Sequence, residues 1–253
     1  MITTVILSSS EDSFTKKLRD SLSFCDEILT IPVDDDFSSA RNEGMKKAKN
    51  DWVLFIDSDE ELSNELSVIL DRRLKAAGIG SPDSIATLQN DKDVIPAKAG
   101  IHNDKIIAYY MKRRDFFWGK ELKYGETHSA RTTGIIRLVK KGSGKWVGAV
   151  HEQFKSTGET GHLNGFINHY PHQSIAEFLK SINKYSTIRA LELHKQGTRT
   201  NVFQIVLYPF GKFWYTYGIK LGFLDGPAGF VYSFMMSFHS FLVRSKLFLK
   251  QSA

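Results

Sequence analysis

Cys25 is the only cysteine in this 253-residue chain. No intrachain disulfide can form, and a reducing compartment is the default expectation. Long apolar runs are also missing. The cleanest, 228–243, stops short of the ~20 residues that a membrane-spanning helix needs, and it contains His239. The opening stretch, Met1 to Leu7, has no basic n-region and reads as a strand rather than a signal peptide. Basic residues exceed acidic ones, 34 Lys+Arg against 28 Asp+Glu for a net charge of +6, which favours anionic partners. These cations are scattered, however, and no nucleic-acid module is visible, so no nucleic-acid partner is expected. A hydrophobic content of 42% is ordinary for a globular core and excludes wholesale disorder.

What is present centres on Trp52-Val53-Leu54-Phe55-Ile56-Asp57-Ser58-Asp59-Glu60-Glu61. A short apolar run bounded by polar residues predicts a strand buried on both faces of a parallel sheet. Ligands of open α/β sheets collect beyond the carboxyl ends of such strands, where Asp57 and Asp59 stand. At spacing i, i+2 on an extended segment both carboxylates point the same way and can converge on a hard cation or its phosphate ligand. The alternative is that these acids begin the next helix, whose apolar stripe is Leu62, Leu66, Ile69, Leu70 and Leu74.

Around this strand the pattern predicts βαβ units: a strand at Thr4–Ser8, a helix with Phe14, Leu18 and Leu22 on one face, and a strand at Glu27–Ile31. A helix capped by Ser38 or Ser39 then runs to about Lys49. Periodicity vanishes from Gly78 to Asp104, which reads as an inserted loop. Further strands are expected at Ile106–Met111, Gly134–Val139 and Leu163–Tyr170, with a strand or turn at Lys145–Ala149. Ser174 and Glu177 form a capping box for a helix ending near Gly197. Beyond Val202 the composition turns aromatic, with Phe203, Tyr208, Phe210, Trp214 and Phe223 among others. Lys212, Lys220, Arg244, Lys246 and Lys250 flank the apolar faces, a pattern suited to helices lying in a membrane interface. The alternative is a helical subdomain whose aromatic residues pack on the core.

Val150-His151-Glu152 supplies a second candidate cluster. His151 is a residue type common among divalent-metal ligands, and Glu152 can orient it or touch substrate. The second His of a zinc-protease helix is missing.

Several motifs stand in order along the chain: Asp57-Ser58-Asp59-Glu60, Arg113-Arg114-Asp115-Phe116-Phe117-Trp118-Gly119, Arg137-Leu138, Gly148-Ala149-Val150-His151-Glu152, His169-Tyr170, Lys184-Tyr185-Ser186-Thr187 and Gly222-Phe223-Leu224-Asp225-Gly226. This set resembles the family 2 glycosyltransferases, in particular the branch containing lipopolysaccharide-core β-glucosyltransferases. The resemblance implies an α/β fold, the glycosyltransferase A-type nucleotide-binding sandwich, over residues 1–200. It also implies a C-terminal helical, aromatic-rich, membrane-associating appendage over 201–253. The implied activity is inverting transfer of a sugar from a nucleoside-diphosphate sugar, a UDP-sugar favoured, to a glycolipid or polysaccharide acceptor. The implied location is the cytoplasmic face of the plasma membrane, bound peripherally to the membrane surface.

On the same carry-over Asp59 and His151 would hold Mg²⁺ or Mn²⁺. Ser8, Glu11, Asp34, Arg41 and Asp57 would line the nucleotide site, and Glu126 or Glu152 would be the catalytic base. The chain departs from the family pattern after its first strand, where relatives carry Asn-Glu-Glu and this sequence has Ser9-Ser10-Glu11-Asp12. It departs again after the second strand, where the usual loop, helix and strand shrink to Asp34-Asp35-Asp36. The shortening removes part of the wall around base and ribose. It keeps a second reading open, an inactive membrane-bound scaffold derived from such enzymes. A nucleotidyltransferase is the third; it would need a Gly-rich phosphate loop that Ser8-Ser9-Ser10-Glu11 does not provide.

Overall fold

The computed structural model describes residues 1–8, 13–33, 36–76, 105–148, 152–172 and 174–251. Three parallel strands form one side of the main sheet: β1 (Ile2–Leu7) lies between β2 (Glu27–Ile31) and β3 (Trp52–Asp57). In this register Leu7 stands beside both Ile31 and Asp57, so the three carboxyl ends share one edge. Next come β7 (Ile135–Lys140), antiparallel to β3, then β5 (Ile106–Phe117) and β10 (Glu159–His169), which pair in parallel. Among the described residues the full order is β2-β1-β3-β7-β5-β10-β4, where β4 is Glu60–Leu62, and β6 (Lys120–Leu122) pairs off β5. A separate hairpin joins β8 (Gly144–Val147) to β9 (Gln153–Ser156).

Alternation along the strands builds two cores. Ile2, Ile6, Leu54 and Ile56 pack with Leu18, Leu66 and Leu70, side chains of α1 (Ser13–Ser21) and α3 (Asn64–Ala76). Val5, Leu7, Val53 and Phe55 face the other way, onto Ala40 and Met45 of α2 (Phe37–Lys47) and onto Trp146 and Phe154 of the hairpin. Successive side chains of a strand point to opposite faces, so an unbroken apolar run is what a sheet covered on both sides requires. Gly44 makes the close approach of α2 possible: a Cβ there would stand 2.6 Å from Val5 Cγ1.

Two local expectations are corrected. The acids after β3 do not begin a helix. A turn at Ser58-Asp59 leads into β4, and α3 starts only at Asn64. The cap of α2 is Asp36 rather than Ser38 or Ser39, because its carboxylate takes both Ser39 N (3.0 Å) and Ser38 Oγ (2.8 Å). Ser174 does cap α5 (Ile175–Lys195), its hydroxyl accepting Glu177 N at 3.2 Å. The expected loop at 78–104 lies wholly outside the described residues.

The C-terminal part is helical. After β6 come a 3₁₀ turn at Gly125–Thr127 and the short α4 (His128–Thr132). Farther on, α6 (Val202–Trp214) and α7 (Gly226–Gln251) pack together and α7 lies along α5, burying Phe178, Ile182, Ala228, Met235, Leu193 and Leu247. The observed architecture is the α/β sandwich with a helical, aromatic-rich C-terminal part expected of the A-type fold.

Candidate active site

The shared strand edge opens into a cavity of about 1590 Å³, lined by Ser8, Asp57 and Asp59 on one side and Glu152, His169 and Tyr185 on others. The floor is a network of buried charges. Arg41, on α2, is 0% exposed and sits 5.1 Å from the ring of Trp146 and 5.5 Å from that of Phe55. Its Nη2 donates to both oxygens of Asp57 (2.9 and 3.2 Å), and its Nε donates to Glu152 at 3.0 Å. The neighbouring Asn42 fastens the hairpin, donating to Trp146 O at 2.8 Å and accepting Trp146 N at 2.9 Å. An Arg-Asn pair on one helix thus ties the end of β3 to the segment that follows His151.

Arg137 of β7 holds Asp57 from the other side at 2.6 Å and reaches Glu60 at 2.7 Å. Burial alone would discourage ionisation of Asp57, but Arg137 and Arg41 hold its carboxyl far below the usual carboxylate range. The same carboxylates keep Arg137 firmly protonated despite its burial. Farther along, Arg113 Nη2 meets Asp115 at 3.0 Å, and Asp115 meets His169 Nδ1 at 2.6 Å. The other nitrogen of that ring lies 3.3 Å from Asp59 Oδ2. Burial and Arg113 oppose a charge on His169, yet Asp59 and Asp115 prevail and raise its pKa to about 9. Asp59 and Asp115 are lowered in turn, against burial, by His169 and Arg113 respectively.

Of the residues singled out from sequence, Ser8, Asp57, Asp59 and Glu152 line the cavity together. Arg41 does not line it but is bonded to two carboxylates that do. Glu126 lies in the 3₁₀ turn, paired with Lys212 at 2.8 Å, and does not line the cavity. Glu11, Asp34 and His151 lie outside the described residues. Sequence reasoning gave no role to Arg113, Arg137, Glu60, Asp115 or His169. Arg137, Arg113 and His169 stand in motifs of the resemblance, but only the folded register brings them to Asp57 and Asp59.

A divalent ion is implied by the resemblance. Among the described residues no group of three or more His, Cys, Asp or Glu could hold one unaided. The network sets five carboxylates (Asp57, Asp59, Glu60, Asp115, Glu152) against three guanidiniums and one imidazolium. It therefore has negative charge to spare, and Asp59, its side chain 48% exposed, is the open carboxylate. A hard ion that keeps waters and substrate phosphates needs only one or two such groups. The donor set fits.

Residues 5–77 match the family model described as Glycosyl transferase family 2. An uncharacterized glycosyltransferase of Rickettsia typhi is 28% identical over 209 residues, covering 78% of this chain and 62% of the relative. The lipopolysaccharide core biosynthesis glycosyltransferase LpsC of Rhizobium meliloti is 23% identical over 210 residues, covering 79% and 67%. The chain thus spans about three fifths of the first relative's length. The crystal structure of S. aureus TarS 1-349 with UDP-GlcNAc aligns over 94% of this chain and 81% of its own, at 9% identity and a TM-score of 0.40. The resemblance drawn from the ordered motifs, to glycosyltransferase family 2 and within it to a lipopolysaccharide-core enzyme, is upheld.

Proposed function

From a chain whose residues 5–77 carry the family 2 glycosyltransferase pattern, we propose an inverting, metal-dependent transferase. It moves a sugar from a nucleoside-diphosphate donor to a glycolipid or polysaccharide acceptor. The observation that carries this reading is the single guanidinium of Arg41 bonded to both Asp57 and Glu152. It sets the paired acids and the segment following His151 at one cavity, as the chemistry requires.

The residues divide the work. Asp57, held ionised by two arginines, faces the cavity beside Ser8 as an acceptor for nucleotide hydroxyls. Arg113, its side chain 23% exposed, and His169 put positive charge at the strand edge, where a departing diphosphate gains negative charge. Asp59, with His151, would hold Mg²⁺ or Mn²⁺, which supplies Lewis-acid neutralisation of that diphosphate. The base must take a proton from the acceptor hydroxyl as it attacks. Both candidates are ion-paired, Glu152 with Arg41 and Glu126 with Lys212, but only Glu152 lines the cavity where that hydroxyl would stand.

The acceptor side points to a membrane surface. No residue of α6 is buried, and Phe203 (76%), Phe210 (64%) and Trp214 (53%) are exposed along it. Exposed apolar faces of this extent mark interaction sites. Among the described residues no helix is long and apolar enough to cross a membrane. We assign α6 and the start of α7 to the bilayer interface, on the inner face of the plasma membrane.

The test is a screen of nucleoside-diphosphate sugars with Mg²⁺ or Mn²⁺, scoring nucleoside-diphosphate release by the wild type and by Asp59→Ala. Metal-dependent release that Asp59→Ala abolishes is expected. Nucleotide binding without turnover of any donor would instead identify an inactive scaffold, and equal turnover by Asp59→Ala would remove the metal mechanism.

A further inference from the structure

We infer that Asp115 and His169 form a positioning relay for Asp59, so that the orientation of the metal-facing carboxylate is set by a residue 110 positions later in the chain. The inference rests on the proposed role of Asp59 and adds to it two residues outside the metal's own donor set.

Strand register creates the relay. The pairing of β10 with β5 puts His169 beside Asp115, and its pairing with β4 puts it beside Glu60, the residue after Asp59. The ring therefore lies between a strand carboxylate and the β3–β4 turn. Its Nδ1 is 2.6 Å from Asp115 Oδ1 and its Nε2 is 3.3 Å from Asp59 Oδ2. Asp115 is itself fixed: it is 1% exposed, and Arg113 reaches both its oxygens (Nη2 to Oδ1 at 3.0 Å, Nε to Oδ2 at 3.4 Å).

The backbone of the turn is fixed independently. Tyr170 N donates to Asp59 O at 2.9 Å, and Ser58 N donates to Leu7 O at 3.0 Å. The Asp59 side chain itself is 48% exposed. An exposed aspartate on a turn samples several rotamers, and each must be given up when an ion is coordinated. A ring clamped by a buried carboxylate and pointing its second nitrogen at Asp59 restricts that choice beforehand. Groups that orient a metal-ligating side chain by hydrogen bonding have this effect on affinity generally.

The test uses the full chain and reads Mn²⁺ affinity by electron paramagnetic resonance in the presence of UDP, without turnover. Asp59→Ala is the reference and should abolish binding. His169→Phe, which keeps a planar ring but removes both nitrogens, should weaken Mn²⁺ binding by roughly 10- to 100-fold, the usual range for such supporting groups. Asp115→Asn, which leaves the ring in place, should weaken it in the same direction, and it carries the test if the Phe variant does not fold. His169→Gln, whose amide can still donate to Asp59, should recover most of the loss. Should His169→Phe and Asp115→Asn bind Mn²⁺ as the wild type does while Asp59→Ala does not, the relay is wrong and the role of Asp59 stands. If Asp59→Ala itself binds Mn²⁺ normally, the metal reading fails first and the relay with it. Equal weakening in the Gln and Phe variants would also overturn the relay, since a donor at that position would then make no difference.

Discussion

Replacing Arg41 by Met removes one buried charge and leaves the two carboxylates it served. Arg41 is fully buried, and its guanidinium makes three hydrogen bonds, two to Asp57 and one to Glu152. Taking one partner from a buried ion pair costs about 3–5 kcal/mol. Here the lower end applies. Asp57 keeps Arg137 at 2.6 Å, and Glu152, 16% exposed in its side chain, can recruit water. A loss of about 3 kcal/mol at an m-value of about 2 kcal/mol/M moves the urea midpoint down by about 1.5 M. The pH dependence should change as well. The native pKa of Asp57 is depressed, so its contribution is complete above the unfolded-state value of about 4 and is lost as pH falls through the lower native value. Without Arg41 the native pKa rises toward the unfolded one, so less of this stabilisation exists and acid removes it at higher pH. Urea titrations of both proteins between pH 3 and pH 7 measure the two effects together. A midpoint unchanged to within about 0.3 M, or parallel acid profiles, would refute the account of Arg41 as the tie between β3 and the hairpin.

Other expectations follow from the same geometry. His169 is the opposite case, its native pKa raised to about 9, so its contribution is complete below about 6.5 and is lost as pH rises through 9. The thermal midpoint should therefore fall across that window, and His169→Gln should flatten the profile; an unchanged slope in the variant would count against it. Gly44→Ala places a Cβ 2.6 Å from Val5 Cγ1 and should cost roughly 1–3 kcal/mol by overpacking, read by denaturant unfolding. Replacing Phe203, Phe210 and Trp214 together by Ser should release the protein from anionic vesicles in a flotation assay without lowering its thermal midpoint, because all three are exposed. Retention on the vesicles would remove α6 from the interface.

The centre of the sheet was legible because β1 and β3 are covered on both faces. Trp52–Ile56 is apolar throughout, and only a doubly covered strand needs that. The capping box at Ser174 was legible for a local reason, a hydroxyl three residues ahead of the amide it accepts. Where local signals competed, the reading slipped. Asp36, Ser38 and Ser39 can all cap, and the carboxylate won because it takes the Ser38 hydroxyl as well as an amide. The turn into β4 was hidden because Glu60 and Glu61 are ordinary first-turn helix residues, and their placement is decided by pairing with β10, more than a hundred positions away.

The site divides the same way. Asp57 and Asp59 announce themselves by ending an apolar run. The cations that face them, Arg113, Arg137 and His169, sit on strands whose neighbours are fixed only by sheet order. Arg41 was legible as a site residue but not in its manner of acting. Its burial against Trp146 and Phe55 and its bonds to Asp57 and Glu152 come from the fold and have no local sequence signal.

The most direct measurement is a crystal structure of the full chain grown with UDP and Mn²⁺. The diphosphate should lie in the strand-edge cavity, bridged by the ion to the Asp59 carboxylate, with the ribose on the Asp57 side. A nucleotide bound elsewhere, or a diphosphate in that cavity whose ion makes no contact with Asp59, would contradict the account.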